Sequence, residues 1–189
     1  ISMSMLVTDK TPMVWRGPMA SGALQQLLQQ TAWSDLDYLI VDMPPGTGDI
    51  QLTLSQQVSV GGAVIITTPQ EIALADARKG IEMFRKVSVP IIGVVENMSY
   101  FVCDGCDRKH ALFGAGGGER VAAEYGTSLL GEFPLDPVIR EQTDVGLPIV
   151  AIDNTSLMSS LYVDCARRMA AALWLNSRDK APTPTLTRD

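Results

Sequence analysis

The chain has 189 residues, 46% of them hydrophobic, with 19% charged and a formal net charge of -6. That length and apolar content suffice for one globular domain with a sizeable core. The acidic balance and the 6% aromatic share argue against a nucleic-acid partner, which needs a basic face or a stacking platform. No apolar run reaches the roughly 18 residues of a membrane span, and no charged and apolar leader pattern opens the chain, so no membrane or secretory role is expected.

The chain opens Ile1-Ser2-Met3-Ser4-Met5-Leu6, a partly apolar stretch with strand-like alternation and no initiating Met. It reads as a cut through a longer protein. Pro18 to Gln30 has a helical pattern, with Pro18 in the first turn, where a missing N–H costs nothing. Tyr38 to Met43 is a continuous apolar run that includes an acid, Asp42. Gly62 to Thr68 is a second such run, Pro90 to Asn97 a third and Leu129 to Pro134 a shorter fourth. Runs of this length, apolar at alternate and intervening positions, predict strands buried between two helix layers.

Helical patterns alternate with these runs. Ile72 to Val87 places Ile72, Ala75, Ile81 and Phe84 at roughly helical spacing. Glu119 to Tyr125 predicts a short helix capped by Gly126. Ser156 to Leu175 predicts a last helix with Leu157, Leu161, Cys165, Ala172 and Leu175 sharing much of one face. One domain is expected over residues 1–176, with a polar, Pro-containing tail over 177–189 expected to be disordered. Alternating strands and helices predict an α/β fold with a doubly wound, mostly parallel sheet and flanking helices.

In such sheets ligands gather beyond the carboxyl ends of the strands. After the first predicted strand comes Asp42-Met43-Pro44-Pro45-Gly46-Thr47-Gly48-Asp49, after the second Thr68-Pro69-Gln70, after the third Asn97-Met98-Ser99 and after the fourth Pro134-Leu135-Asp136. An acid at a strand end, as Asp42 is, can hold Mg²⁺ beside phosphates, or simply cap the strand-to-loop transition. Gly46 and Gly48 would let backbone approach a terminal phosphate. Asn97 can pair with a purine edge, having one donor and one acceptor group, or form a local turn.

Cys103-Asp104-Gly105-Cys106 sets two thiols three residues apart, a bite that zinc and iron–sulfur clusters both accept. A tetrahedral site wants four ligands. Of the three cysteines, Cys165 falls in an amphipathic helix and reads as core, and His110 reads as a surface residue rather than a third ligand. Two ligands per chain suggest a site completed by a second copy around a two-fold axis. A redox dithiol would open a helix after a strand, and no helical pattern follows Cys106, so metal is favoured over redox. The odd cysteine count points to the reducing cytoplasm rather than to a disulfide framework. Gly114 to Arg120 is Gly-rich and precedes a helix; it could cradle an anion, but a flexible connection and helix start is the better reading. It is no P-loop, because no Gly-Lys dipeptide occurs in the chain.

Taken together, Trp15-Arg16-Gly17-Pro18-Met19, the Asp37-to-Asp49 stretch DYLIVDMPPGTGD, Thr67-Thr68-Pro69-Gln70, Lys79-Gly80, Val95-Glu96-Asn97-Met98-Ser99, the Cys103/Cys106 pair and Phe113-Gly114-x-Gly116-Gly117 stand in the order seen in Mrp/ApbC-type iron–sulfur cluster carriers. The chain resembles that family from about residue 1 to about residue 175. The resemblance implies a deviant P-loop ATPase related to MinD and the nitrogenase iron protein. It implies a homodimer that binds a bridging [4Fe–4S] cluster and delivers it to apo iron–sulfur proteins, with ATP and Mg²⁺ used by the full-length form. Cys103 and Cys106 would then be cluster ligands, Asp42 the Mg²⁺-linked acid and Gly46 part of the γ-phosphate-sensing loop. Asn97 would contact adenine, with Pro134 to Asp136 near the base.

Two departures stand out. The family's Gly-Lys-Gly-Gly-Val-Gly-Lys-Ser/Thr loop is absent, so the P-loop unit is expected upstream of Ile1 and this chain alone is expected to hydrolyse ATP weakly or not at all. Asp107 stands where many relatives carry Gly. Two other readings remain: a non-enzymatic zinc-binding or interaction module using the CxxC across a dimer, and a MinD-like positioning ATPase. The latter wants a basic amphipathic C-terminal helix, for which only Arg167 and Arg168 are available.

Overall fold

Val, Ile and Leu crowd three short runs between residues 63 and 132, and the β-branched ones among them pack well on a pleated surface. In the computed structural model, which describes residues 1–2, 17–43, 51 and 58–179, all three are strands. In chain order the elements are α1 (Gly17–Gln30), β1 (Ala63–Thr67), α2 (Glu71–Lys86), β2 (Ile91–Glu96), β3 (Phe101–Val102), β4 (Lys109–His110), α3 (Gly117–Glu124), β5 (Leu129–Glu132), α4 (Pro137–Asp144), α5 (Ile149–Ile152) and α6 (Leu157–Asp179). The chain forms two compact units, Ile1–Val60 and Gly61–Asp189.

In the second unit β1, β2 and β5 make a parallel sheet in the order β1-β2-β5. The central strand β2 is buried at every position after Ile91, as a strand covered on both faces must be. Alternate side chains serve the two faces. Ile65 and Val94 pack with Leu74, Ala77 and Ile81 of α2 and Val121 and Ala122 of α3. Val64, Val95, Leu130 and Phe133 pack with Leu161, Tyr162, Cys165 and Met169 of α6. Helices on both faces of a parallel sheet are the expected doubly wound arrangement. Gly93 is required where β2 meets β5, since a Cβ there would fall 2.3 Å from Leu130 Cγ.

Several expectations need correction. Leu74, Ala77 and Ile81 form the buried face of α2, with Met83 buried separately near its end, whereas Ile72 is 78% exposed. Positions two apart in a helix are turned by about 200°, so Ile72 points away from the face that Leu74 buries. On α6 the middle of the predicted face packs, but Leu157 and Leu175 are exposed. That helix runs to Asp179, three residues into the expected tail, and residues 180–189 lie outside the described set. Gly126 has φ +65°, the left-handed conformation that closes α3 as expected.

In the first unit, Ala23 and Leu27 are the buried positions among the described side chains of α1, and Trp33 Nε1 donates to the Leu28 carbonyl at 2.9 Å just beyond its end. The run Tyr38 to Met43 is not a strand. Tyr38 is 55% and Ile40 74% exposed. An apolar run becomes a strand only where a neighbour supplies ladder partners, and among the described residues no strand pairs with it. No described helix is long and apolar enough to cross a membrane.

The two-sided core predicts a sharp contrast along α2. Ile81, 0% exposed, should lose about 2–5 kcal/mol of stability on replacement by Ala. Ile72→Ala should stay within about 0.5 kcal/mol of the unsubstituted chain. Urea-unfolding midpoints of the two variants measure the difference.

Candidate functional site

The carboxyl ends of β2 and β5 continue side by side beyond the sheet. Phe133 donates its N–H to the Glu96 carbonyl at 2.9 Å, Ser99 to Phe133 at 2.9 Å and Leu135 to Tyr100 at 2.7 Å. On the other side the Asn97 N–H reaches the Thr67 carbonyl at the end of β1, 2.8 Å away. Asn97, Pro134 and Asp136 therefore come to one end of one sheet. Asn97 is half-buried, and its Oδ1 accepts the Met98 N–H at 2.9 Å in a tight turn where Met98 has φ +54°. Pro134 is buried. Asp136 caps α4: its Oδ1 accepts the Val138 N–H at 2.7 Å, and Pro137 follows at the first helical position, where no N–H is missed. Asp42 is an exposed residue of the first unit, in a segment without regular structure, and Gly46 lies outside the described residues.

The cysteine pair sits on a small hairpin. β3 and β4 pair antiparallel, Phe101 with His110 and Val102 with Lys109. Between them Cys103 donates its N–H to the Arg108 carbonyl at 3.0 Å, and its own carbonyl accepts from Cys106 at 3.3 Å and Asp107 at 2.8 Å. Asp107 has φ +54°. This left-handed position is natural for Gly and tolerated by Asp, which gives the residue that departs from the family pattern a conformational reason. Lys109 Nζ lies 4.3 Å from the centre of the Tyr100 ring, a cation–π contact that braces the hairpin's base.

The two thiols are unlike. The backbone N–H of Gly105 points at the Cys103 sulfur, and the Cys106 thiol and N–H add to it, so the Cys103 pKa falls below that of an ordinary thiol. Partial burial and Asp104 oppose this to a smaller degree. Cys106 is exposed. Cys165 is elsewhere, packed on the core against Phe133 and its neighbours, and burial pushes its pKa up. Among the described residues no group of three His, Cys, Asp or Glu side chains could hold a metal. His110 stays exposed on β4. The turn thus carries two thiols, Cys103 partly buried and Cys106 exposed, with no third candidate ligand among the described residues.

Glu96, within the third apolar run and the Val95-to-Ser99 motif, has no role assigned by the sequence. Glu96 ends β2 with 1% exposure, and its Oε2 accepts the N–H of Gly118 in the first turn of α3. The helix start that could have cradled an external anion already faces a carboxylate of its own chain. Gly117 and Gly118 allow this approach, since a Cβ at 118 would fall 2.9 Å from Glu96 Cβ. The available signal was an acid closing an otherwise apolar strand, IIGVVE.

Two outcomes follow from this geometry. Asp136→Ala removes a helix cap and should cost about 1 kcal/mol, while Asp136→Asn should cost less; thermal unfolding of both variants checks this. Because the lowered pKa of Cys103 enlarges its thiolate fraction near neutrality, and the raised pKa of Cys165 shrinks its own, iodoacetamide should label Cys103 before Cys165. The labelling rate of Cys103 should also reach its plateau at lower pH, as read by peptide mass spectrometry.

The family described as ParA, NUBPL iron-transfer P-loop NTPase, matches residues 1–170. An iron-sulfur cluster carrier protein of Pseudomonas fragi is 58% identical over 166 residues, covering 88% of this chain and 58% of that protein. The chain likewise covers 47% of the iron-sulfur cluster carrier protein of Escherichia coli (strain K12), to which it is 56% identical over 92% of its own length. It thus spans about half the length of the curated relatives it matches. Among solved structures, the nucleotide-binding protein of Archaeoglobus fulgidus in complex with ADP, with Co found in it, superposes with a TM-score of 0.63 at 35% identity, over 75% of this chain and 56% of that one. A parallel sheet between two helix layers, the spacing of the motifs along it and the match over residues 1–170 place this chain in the NUBPL-type iron-transfer P-loop NTPase family.

Proposed function

We propose that this chain is part of an iron–sulfur cluster carrier of the cytoplasm. In this reading Cys103 and Cys106 of two copies hold one bridging [4Fe–4S] cluster as cargo and pass it to apo iron–sulfur proteins. The observation that carries the reading is the hairpin turn, which presents two thiols to solvent with no third ligand among the described residues. Two such half-sites meeting around a two-fold axis supply four thiolates. The carrier names of the relatives support the same cargo.

The nucleotide half of the proposal rests on fewer groups. Asp42 would serve Mg²⁺, Gly46 the γ-phosphate, Asn97 the adenine, and Pro134 and Asp136 the surroundings of the base. Support comes from the placement of Asn97, Pro134 and Asp136 at the carboxyl end of a parallel sheet, where ligands of such folds gather, and from the ADP in the Archaeoglobus relative. No Gly-Lys-Ser/Thr loop occurs in these 189 residues, so the charge that stabilises phosphoryl transfer must come from outside them.

A zinc-binding module is the second reading, because the same turn fits a zinc half-site. A MinD-like positioning role has less support: Arg167 pairs with Asp164 at 3.3 Å and Arg168 donates to the Leu130 carbonyl at 3.2 Å, which leaves α6 without a basic face built from them.

Anaerobic reconstitution with iron and sulfide should give broad visible absorption, about four irons per two chains and the mass of a dimer. Cys103→Ser and Cys106→Ser should each abolish all three. A colourless, zinc-loaded dimer under the same treatment would replace the cluster with zinc. Phosphate release from ATP should stay at background and be unaffected by Asp42→Asn; clear Asp42-dependent turnover would contradict the nucleotide part.

A further inference from the structure

The excursion that carries both cysteines leaves the sheet at Glu96, the last residue of β2, and rejoins the fold at Gly117, the first of α3. Its own hairpin has two residues per strand, none of them buried. A ladder that short has little stability of its own, so the orientation of the cysteines depends on how the feet of the excursion are held.

The feet are joined by one buried contact. The Glu96 side chain reaches from the departing strand to the returning helix, where its Oε2 accepts the Gly118 N–H across 22 residues of sequence. The returning helix is drawn close: a Cβ at 117 would lie 3.2 Å from Glu96 Oε2 and one at 118 would lie 2.9 Å from Glu96 Cβ. The buried Ser99 Oγ bond to the Glu96 carbonyl at 3.0 Å stays within the departing segment, and the ties of the returning helix, Arg120 to Glu71 at 2.9 Å and Arg120 to the Ala115 carbonyl at 3.0 Å, are exposed. The exposed ties are correspondingly weak.

Glu96 is an unfavourable choice for the sheet itself. Its Oε1 is buried without a hydrogen-bond partner among the described residues, and an apolar side chain of similar volume would avoid that penalty. A carboxylate kept in such a place serves something other than packing. We infer that Glu96 is a positioning residue for the Cys103/Cys106 metal centre, pinning the base of the hairpin through Gly118 so that the two thiols are presented in one orientation. The inference rests on reading the cysteine pair as a metal site.

The test uses the 189-residue chain with Co²⁺ as probe, read by thiolate-to-cobalt absorption, alongside amide hydrogen exchange without metal. Glu96→Leu and Gly118→Ala break the contact from either side. Each should weaken Co²⁺ binding by about 10- to 100-fold, the range for groups that orient metal ligands, and speed exchange over residues 101–112 while β1 and β5 stay protected. Glu96→Gln keeps an acceptor for the Gly118 N–H and should restore most of the affinity. Unchanged Co²⁺ affinity and unchanged hairpin exchange in Glu96→Leu and Gly118→Ala would overturn the inference. So would loss of protection across β1 and β5 in all three variants, which would make Glu96 a component of the sheet core. Cys103→Ser/Cys106→Ser is the separate control: if that variant still binds Co²⁺, the reading of the cysteine pair fails whatever Glu96 does.

Discussion

Everything described in the second unit depends on β2 being paired on both edges and covered on both faces. Its backbone groups are satisfied by β1 on one side and β5 on the other, and its side chains are divided between α2 and α3 on one face and α6 on the other. A strand with no solvent-facing edge or surface has one place at which to release its chain to the outside, its carboxyl end. Asn97 emerges there, the cysteine hairpin follows within a few residues, and the segment after β5 is hydrogen-bonded alongside. A single buried strand thus delivers a polar turn and a pair of thiols to the same end of the molecule.

The electrostatics of that end are divided by burial. Glu96 is sealed beneath the first turn of α3, where the positive end of the helix and the Gly118 N–H meet its charge. The thiols of Cys103 and Cys106 are left outside, with backbone amides rather than cationic side chains favouring the charged form of Cys103. Amide N–H groups favour a thiolate without adding a mobile countercharge. The third cysteine, packed against the sheet, has its charged form disfavoured instead. Three residues of one type therefore divide into a pair on an outer turn and an inert core member through the surroundings that backbone and burial give them.

How much of this could be read from the residues follows the same physics. β1, β2 and β5 were legible because their composition suits a strand shielded on both sides. Tyr38 to Met43 has the same composition, yet it forms no strand, because composition cannot show whether a ladder partner is present. The register of α2 was legible at Ile81 and Phe84 but not at Ile72, whose face is set by what packs against Leu74. α4 and α5 are not legible in the same way, because at eight and four residues they are too short for a period to be read and neither has a buried residue. The pairing of the two cysteines on one turn was legible because the whole of it lies within four residues. The Glu96 contact was not, because its partner is a backbone amide, and amides carry no residue-specific signature in a sequence.

The smallness of the β3–β4 hairpin bears on how a cargo would be released. Two residue pairs, the turn hydrogen bonds around Cys103 and one cation–π contact hold it, while the sheet below is held by a two-sided core. Local opening of such an element is far easier than unfolding of the domain that carries it. A metal gripped by thiols on this appendage could be surrendered by loosening the hairpin alone, and the same scaffold would be ready to load again.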